Sequence, residues 1–210
     1  MRIGALIAGR YRLTAPLGAG AMGQVWRARD ERLQRDVAVK VVDLARPAGP
    51  VSAGQFEREA LATARLNHPN IVTLFDAGAD GDVAYLVMEL LTGESLADRL
   101  ARGPLPAPEA VRIATQVARA LEATHLIGVV HLDVKPGNVM LTSSGGVKVL
   151  DFGIAQLAGD AEATESISDV IGTAAYMSPE QAQGRRAGTA SVPNRSPTSS
   201  APPPTCPPSR

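Results

Sequence analysis

The chain has 210 residues, of which 45% are apolar, and its 21 basic and 21 acidic side chains give a formal net charge of zero. This composition fits a soluble protein with a sizeable core and excludes the basic footprint of a nucleic-acid-binding protein. No apolar run reaches the roughly 18 residues of a membrane span, and the single cysteine excludes a disulfide framework. We therefore expect a cytoplasmic protein without a membrane segment.

The first ninety residues predict a small β-rich unit with one helix. Its expected elements are a hairpin over residues 11–28, a third strand over 37–42, a capped helix over 52–66 and strands over 71–76 and 83–88. In the third strand, the period of two places Val37, Val39 and Val41 on one face and Lys40 on the other.

The following ninety residues predict mainly helices. A short helix is expected over residues 95–102, and a longer one from Pro108 to a stop at Gly128. The apolar face predicted for the longer helix contains Ala110, Ile113, Ala114, Val117 and Leu121. Two short strands flank a turn over residues 143–146, and Lys148 is expected to point outward from the second. Residues 184–210 are rich in Pro, Ser and Arg and predict a disordered tail.

A glycine-rich stretch, G-x-G-x-x-G-x-V, occupies residues 18–25. Glycine at such positions lets a backbone approach phosphates closely and adopt unusual dihedral angles. The pattern also occurs in dinucleotide-binding turns, where a helix begins directly after the loop. Here Val25 and Trp26 continue as a strand, which favours a phosphate-covering loop within a hairpin.

The sequence H-L-D-V-K-P-G-N at residues 131–138 is followed by D-F-G at 151–153. Asp133 could position a hydroxyl nucleophile, while Asn138 and Asp151 could hold hard metal ions through oxygen. The competing interpretation makes all of them ordinary turn residues. The two motifs together, at this spacing, favour magnesium-assisted phosphoryl transfer.

Three further motifs occur together with these two in a known set of sequence signatures. V-A-V-K ends at Lys40, Glu59 precedes N-H-P-N-I at residues 67–71, and S-P-E lies at 178–180. Over residues 11–183 the chain resembles a bacterial Ser/Thr protein kinase of the eukaryotic-like type. The resemblance implies an α+β, two-lobed fold. Its expected parts are a small lobe over 11–90, an incomplete, mainly helical lobe over 91–183 and the tail over 184–210.

The resemblance also assigns roles to individual residues. Asp133 would orient the substrate hydroxyl, Lys135 would stabilise the transferring phosphate, and Lys40 would pair with Glu59 and the ATP phosphates. Magnesium would be held by Asn138 and Asp151. The nucleotide would contact the glycine loop, the strand of Lys40 and the hinge, which is the segment 89–91. The contacts would be made by Leu17, Gly18, Ala19, Gly20, Gly23, Val25, Ala38, Lys40, Met88, Glu89 and Leu91.

The implied activity is ATP- and Mg²⁺-dependent phosphorylation of Ser or Thr in protein substrates. The chain is expected to be a truncated form of such a kinase. One alternative is a catalytically impaired ATP-binding fragment. Another is a small-molecule kinase of the aminoglycoside type, against which Lys135 and the D-F-G and S-P-E motifs argue.

Leu132 differs from the residue that the family usually has at this position. That residue is an arginine, which binds a phosphate group on the activation segment. We hypothesise that activation does not depend on that ion pair, although Thr164, Ser166 and Ser168 offer phosphorylation sites.

Overall fold

A computed structural model describes residues 1–20, 23–43, 60, 66–151 and 174–179. The described strands are β1 (Leu6–Ile7), β2 (Tyr11–Gly20), β3 (Gly23–Asp30), β4 (Arg35–Asp43), β5 (Leu74–Asp80), β6 (Val83–Glu89), β7 (Gly93–Ser95), β8 (Val139–Thr142) and β9 (Val147–Val149). The described helices are α1 (Leu96–Ala101), α2 (Ala107–His125) and two 3₁₀ turns, Pro136–Asn138 and Ala174–Tyr176. None of these helices is long and apolar enough to cross a membrane.

The first sheet is six-stranded and antiparallel, in the order β1-β2-β3-β4-β6-β5. Strand β4 lies between β3 and β6 and separates two apolar clusters, as the predicted alternation requires. Val37, Val39 and Val41 pack on one face of the sheet. Ala38 packs on the other face, beside Met88 of β6. The side chain of Lys40 therefore lies on the same face as the second cluster.

The second sheet, β7-β8-β9, packs against helix α2. Ile113 of α2 contacts Val139 and Val147, and Ala120 lies in a cluster with Val149. Main-chain hydrogen bonds join this sheet to the segment before β5: Val72 N donates to Val149 O at 3.0 Å, and Val149 N donates to Asn70 O at 2.8 Å. The segment before β5 is thus bonded directly to β9 of the second sheet.

Several local predictions change. Strand β5 begins at Leu74 instead of residue 71, because Ile71 forms a parallel bridge with Val149. The buried residues of α2 are Ile113, Ala120 and Thr124, whereas Ala114 is exposed. Strands β1 and β7 were not predicted. The predicted helix over 52–66, apart from helical Ala60 and from Leu66, and the tail lie outside the described residues.

Candidate active site

Asp133 is the centre of the catalytic-loop candidate and is buried, with 7% of its surface exposed. Its Oδ2 accepts hydrogen bonds from Asn138 Nδ2 at 2.8 Å and forms an ion pair with Lys135 Nζ at 2.8 Å. The same Asn138 amide also donates to the backbone carbonyl of Asp133. Oδ1 of Asp133 is buried and has no hydrogen-bond partner among the described residues. One carboxylate oxygen is therefore fixed, while the other keeps its capacity to accept a hydrogen bond.

The buried side chain of His131 holds the catalytic-loop candidate in place through its two ring nitrogens. Its ring is 1% exposed; Nδ1 accepts a hydrogen bond from the Asp133 N–H at 3.3 Å, and Nε2 lies 2.8 Å from the Leu150 carbonyl. Because Nδ1 is the acceptor, Nε2 carries the proton and donates to Leu150. Burial lowers the pKa of His131, which favours this neutral form. This geometry supports a structural role for His131 over that of a catalytic base.

Lys40 and Asp151 form an ion pair, with Lys40 Nζ 2.9 Å from Asp151 Oδ1. Lys40 lies on β4 of the first sheet, and Asp151 follows β9 of the second by two residues. The side chain of Lys40 is only 11% exposed, that of Asp151 34%. The fold thus brings together two predicted site residues that are 111 positions apart in the sequence. Glu59, the partner predicted for Lys40, lies outside the described residues.

Two non-glycine residues at this site have left-handed backbone angles. Leu132 has φ 62° and Asp151 has φ 51°. This conformation is rare for side-chain-bearing residues, most of all for a bulky one, and persists only where surrounding contacts enforce it. Leu132 directly precedes Asp133, and Asp151 is itself a predicted magnesium ligand. The strained backbone angles therefore lie at the predicted site.

An apolar cluster lies on the Lys40 face of the first sheet. It contains four of the predicted nucleotide contacts, Val25, Ala38, Met88 and Leu91, together with Leu86 and Leu150. No backbone hydrogen bond from the described residues engages Leu91. A flat apolar ring such as adenine would find apolar contacts here, and the backbone of Leu91 could hydrogen-bond to it.

The glycine loop closes the hairpin of β2 and β3. Gly23 has φ 133°, and a Cβ at this position would lie 2.2 Å from the carbonyl oxygen of Val41. Only glycine fits there. At Gly18 nothing lies within 4 Å of such a Cβ, and Leu17 is exposed. Because a strand follows the loop directly, the structure supports the hairpin over a dinucleotide-binding turn.

Asn138 and Asp151 offer oxygen atoms of the kind that magnesium binds. Both hydrogen bonds from Asn138 Nδ2 go to Asp133, so the amide is fixed, and its carbonyl oxygen accepts no hydrogen bond from the described residues. Asp151 supplies a carboxylate. Among the described residues no group of three or more His, Cys, Asp or Glu could hold a metal alone. Two oxygen ligands fit Mg²⁺, which is usually bound by few protein ligands plus phosphates and water.

One charged pair near the site was not predicted. Lys148 of β9 forms an ion pair with Glu89 at the end of β6, at 2.5 Å, instead of pointing outward. The two residues are 59 positions apart, and no local pattern signals their contact. Predictions for Phe152, Gly153 and Glu180 lie outside the described residues.

Comparison with known proteins decides the family. A model of the protein kinase domain matches residues 11–192. The chain belongs to the protein kinase domain family. This confirms the resemblance drawn from the motifs and the predicted α+β class. It also explains why residues from both sheets converge, since the kinase motifs come from both lobes.

The kinase chain has close relatives among bacterial enzymes. It is 46% identical over 196 residues to the serine/threonine-protein kinase PknA of Mycobacterium tuberculosis, which covers 90% of this chain and 45% of PknA. It is 46% identical over 182 residues to PknB of Mycobacterium leprae, covering 83% of this chain and 29% of PknB. The chain therefore spans less than half the length of these curated relatives.

A solved kinase structure matches the fold. The PknI kinase domain of M. tuberculosis superposes with a TM-score of 0.70 at 30% identity, over 90% of this chain and 69% of that domain. The two-sheet arrangement described above is thus a kinase fold.

Proposed function

We propose that this kinase domain transfers the γ-phosphate of ATP, with Mg²⁺, to Ser or Thr hydroxyls of protein substrates. The observation that carries the proposal is the buried Asp133, whose Oδ2 is held by Asn138 and Lys135 while Oδ1 is left without a partner. A small lobe over residues 11–90 and a second lobe beginning at 91 would enclose the nucleotide.

Asp133 would act on the nucleophile. A substrate hydroxyl that donates to Oδ1 would be oriented for attack, and the carboxylate would take its proton. Lys135, 2.8 Å from Oδ2, carries the positive charge that would stabilise the transferring phosphate. Fixing this carboxylate before the substrate arrives lowers the cost of ordering it during the reaction.

Lys40 and Asp151 would help to bind the phosphates of ATP. Lys40 is almost buried and already lies 2.9 Å from Asp151, so phosphate oxygens arriving there would find an ammonium in place. Asn138 and Asp151 offer the oxygen ligands that would hold magnesium, whose charge would offset that of the triphosphate. Gly18, Ala19, Gly20 and Gly23 would cover the phosphates from the β2–β3 hairpin.

The apolar cluster of Val25, Ala38, Met88 and Leu91 would hold adenine, and the exposed Leu17 would contact the ring from the glycine loop. The backbone of Glu89 and Leu91 would pair with the ring. Glu59 would hold Lys40, as in the family pattern. Because the proposed phosphate donor is ATP, we infer that the domain works in the cytoplasm.

The test is transfer of label from γ-labelled ATP to a generic basic protein, followed by phosphoamino-acid analysis. We expect label on Ser or Thr, and Asp133→Asn should reduce the rate roughly 100-fold to 10,000-fold. Asp82→Asn, in the exposed turn between β5 and β6, is the matched control and should leave the rate unchanged. Binding of Mg·ATP without any transfer would instead select the impaired ATP-binding fragment.

A further inference from the structure

The ion pair between Glu89 and Lys148 lies at the centre of a small polar cluster. Lys148 Nζ donates to Glu89 Oε1 at 2.5 Å and to the carbonyl oxygen of Ile71 at 3.1 Å. Glu89 Oε1 also accepts the N–H of Thr73 at 2.7 Å. The two side chains are only 18% and 24% exposed. Two charged groups and two backbone groups from three segments of the chain therefore meet at one point.

The three segments are those that determine where the hinge lies relative to the second sheet. Glu89 ends β6 and begins the hinge, and its N–H donates to Thr73 O at 3.0 Å. Lys148 lies in the middle of β9, three residues before Asp151. The segment 70–73 lies between them and is bonded to β9 through Val149. The ion pair between Glu89 and Lys148 adds a side-chain link between segments that main-chain hydrogen bonds already connect.

We propose that Glu89 and Lys148 are positioning residues that hold the hinge backbone at a fixed place relative to Asp151, and so set the affinity for Mg·ATP. The proposal rests on the proposed function, because it assumes that adenine binds at residues 89–91 while the phosphates lie near Asp151. Neither side chain would contact the nucleotide; each acts through the backbone that it holds.

The environment of the pair supports this role. Burial tends to raise the pKa of Glu89, but hydrogen bonds from Lys148 and Thr73 outweigh it and bring the pKa below its usual value. The carboxylate is therefore ionised at neutral pH, and its bonds to the ammonium and the amide are charge-assisted. An exposed ion pair of the same 2.5 Å length joins Arg27 and Asp36, whose side chains are 50% and 36% exposed. Such an exposed pair contributes little.

The test compares Lys148→Met, Lys148→Arg and, as the matched control, Arg27→Met in the full chain. Isothermal titration gives the Kd for Mg·ATP, initial rates give kcat, and fluorescence of Trp26, the single tryptophan, reports unfolding. We expect Lys148→Met to raise Kd about 5-fold to 30-fold, in the lower part of the roughly 5-fold to 150-fold range of a typical coupling between sites. The value of kcat should stay nearly constant. Lys148→Arg should restore most of the affinity, and Arg27→Met should change nothing.

An unchanged Kd in folded Lys148→Met would overturn the proposal while leaving the proposed function intact. A wild-type chain that fails to bind Mg·ATP would overturn both. If Lys148→Met lacks a cooperative Trp26 transition, Glu89→Gln becomes the test, since it keeps an acceptor for Thr73 and removes the charge. Increased Kd in folded Glu89→Gln would support the proposal, whereas unfolding of both variants would reveal a purely structural role and overturn it.

Discussion

Replacing Gly23 by alanine tests the geometry of the glycine loop. The new Cβ would lie 2.2 Å from Val41 O and 3.1 Å from Val41 C, and φ at this position is 133°. An L residue at such an angle costs about 1–3 kcal/mol. Overpacking against a backbone that cannot yield costs about 1–3 kcal/mol more. Val41 pairs with Gln24 in the β3–β4 ladder, so relief would require breaking that pairing.

The expected total, about 2–6 kcal/mol, is a large part of the roughly 5–15 kcal/mol that stabilises a domain. It should lower Tm by at least about 4 °C in a chain of this size. Trp26, on β3 and opposite Val39 of β4, is a local probe for thermal unfolding. Gly18→Ala is the control, because nothing lies within 4 Å of its Cβ and its φ lies outside the left-handed region. Equal Tm values for the two variants would contradict the steric clash predicted at Gly23.

Two further predictions concern His131 and the activation segment. Burial lowers the pKa of His131 below the ordinary 6.5, so its stabilising contribution is complete above that pH and declines as the pH falls below it. The difference in free energy of unfolding between wild type and His131→Gln should therefore shrink from about pH 7.5 to about pH 5.5; a constant or growing difference in urea titrations would contradict this. Because Leu132 cannot grip a phosphate, glutamate at Thr164, Ser166 and Ser168 should change the phosphorylation rate by less than about threefold, and a strong rise in that rate would disprove the hypothesis.

The sequence predicted those parts of the fold that local patterns determine. The alternation of Val37, Val39 and Val41 correctly divided β4 between two clusters. The hairpin, the turn between β8 and β9, and the start of α2 near Pro108 also follow from local signals. The motif letters further predicted which loop would carry Asp133, and the structure brings Lys135 and Asn138 to its carboxylate.

The remaining features depend on contacts between distant segments. Ile71 is apolar and β-branched, so it suggested a strand with β6, but its backbone bridges to Val149. Ala114 fits an apolar helical stripe, yet α2 is rotated so that Ala120 and Thr124 face the core. Lys148 was expected to point outward. The period of two in a strand predicts which face a side chain lies on, but it does not predict which residue the side chain contacts. Glu89 provides that partner only once the two sheets are joined.

The proposed function requires that Lys40, Asp133, Asn138 and Asp151 converge around one magnesium-bound triphosphate. The most direct measurement is the affinity for ATP with and without Mg²⁺, by titration of the wild-type chain and of Asp151→Asn. We expect Mg²⁺ to tighten ATP binding to the wild-type chain and this gain to be lost in Asp151→Asn, since the metal would lose one of two protein ligands. ATP affinity that is independent of Mg²⁺ in the wild-type chain, or an undiminished gain in the variant, would contradict this expectation.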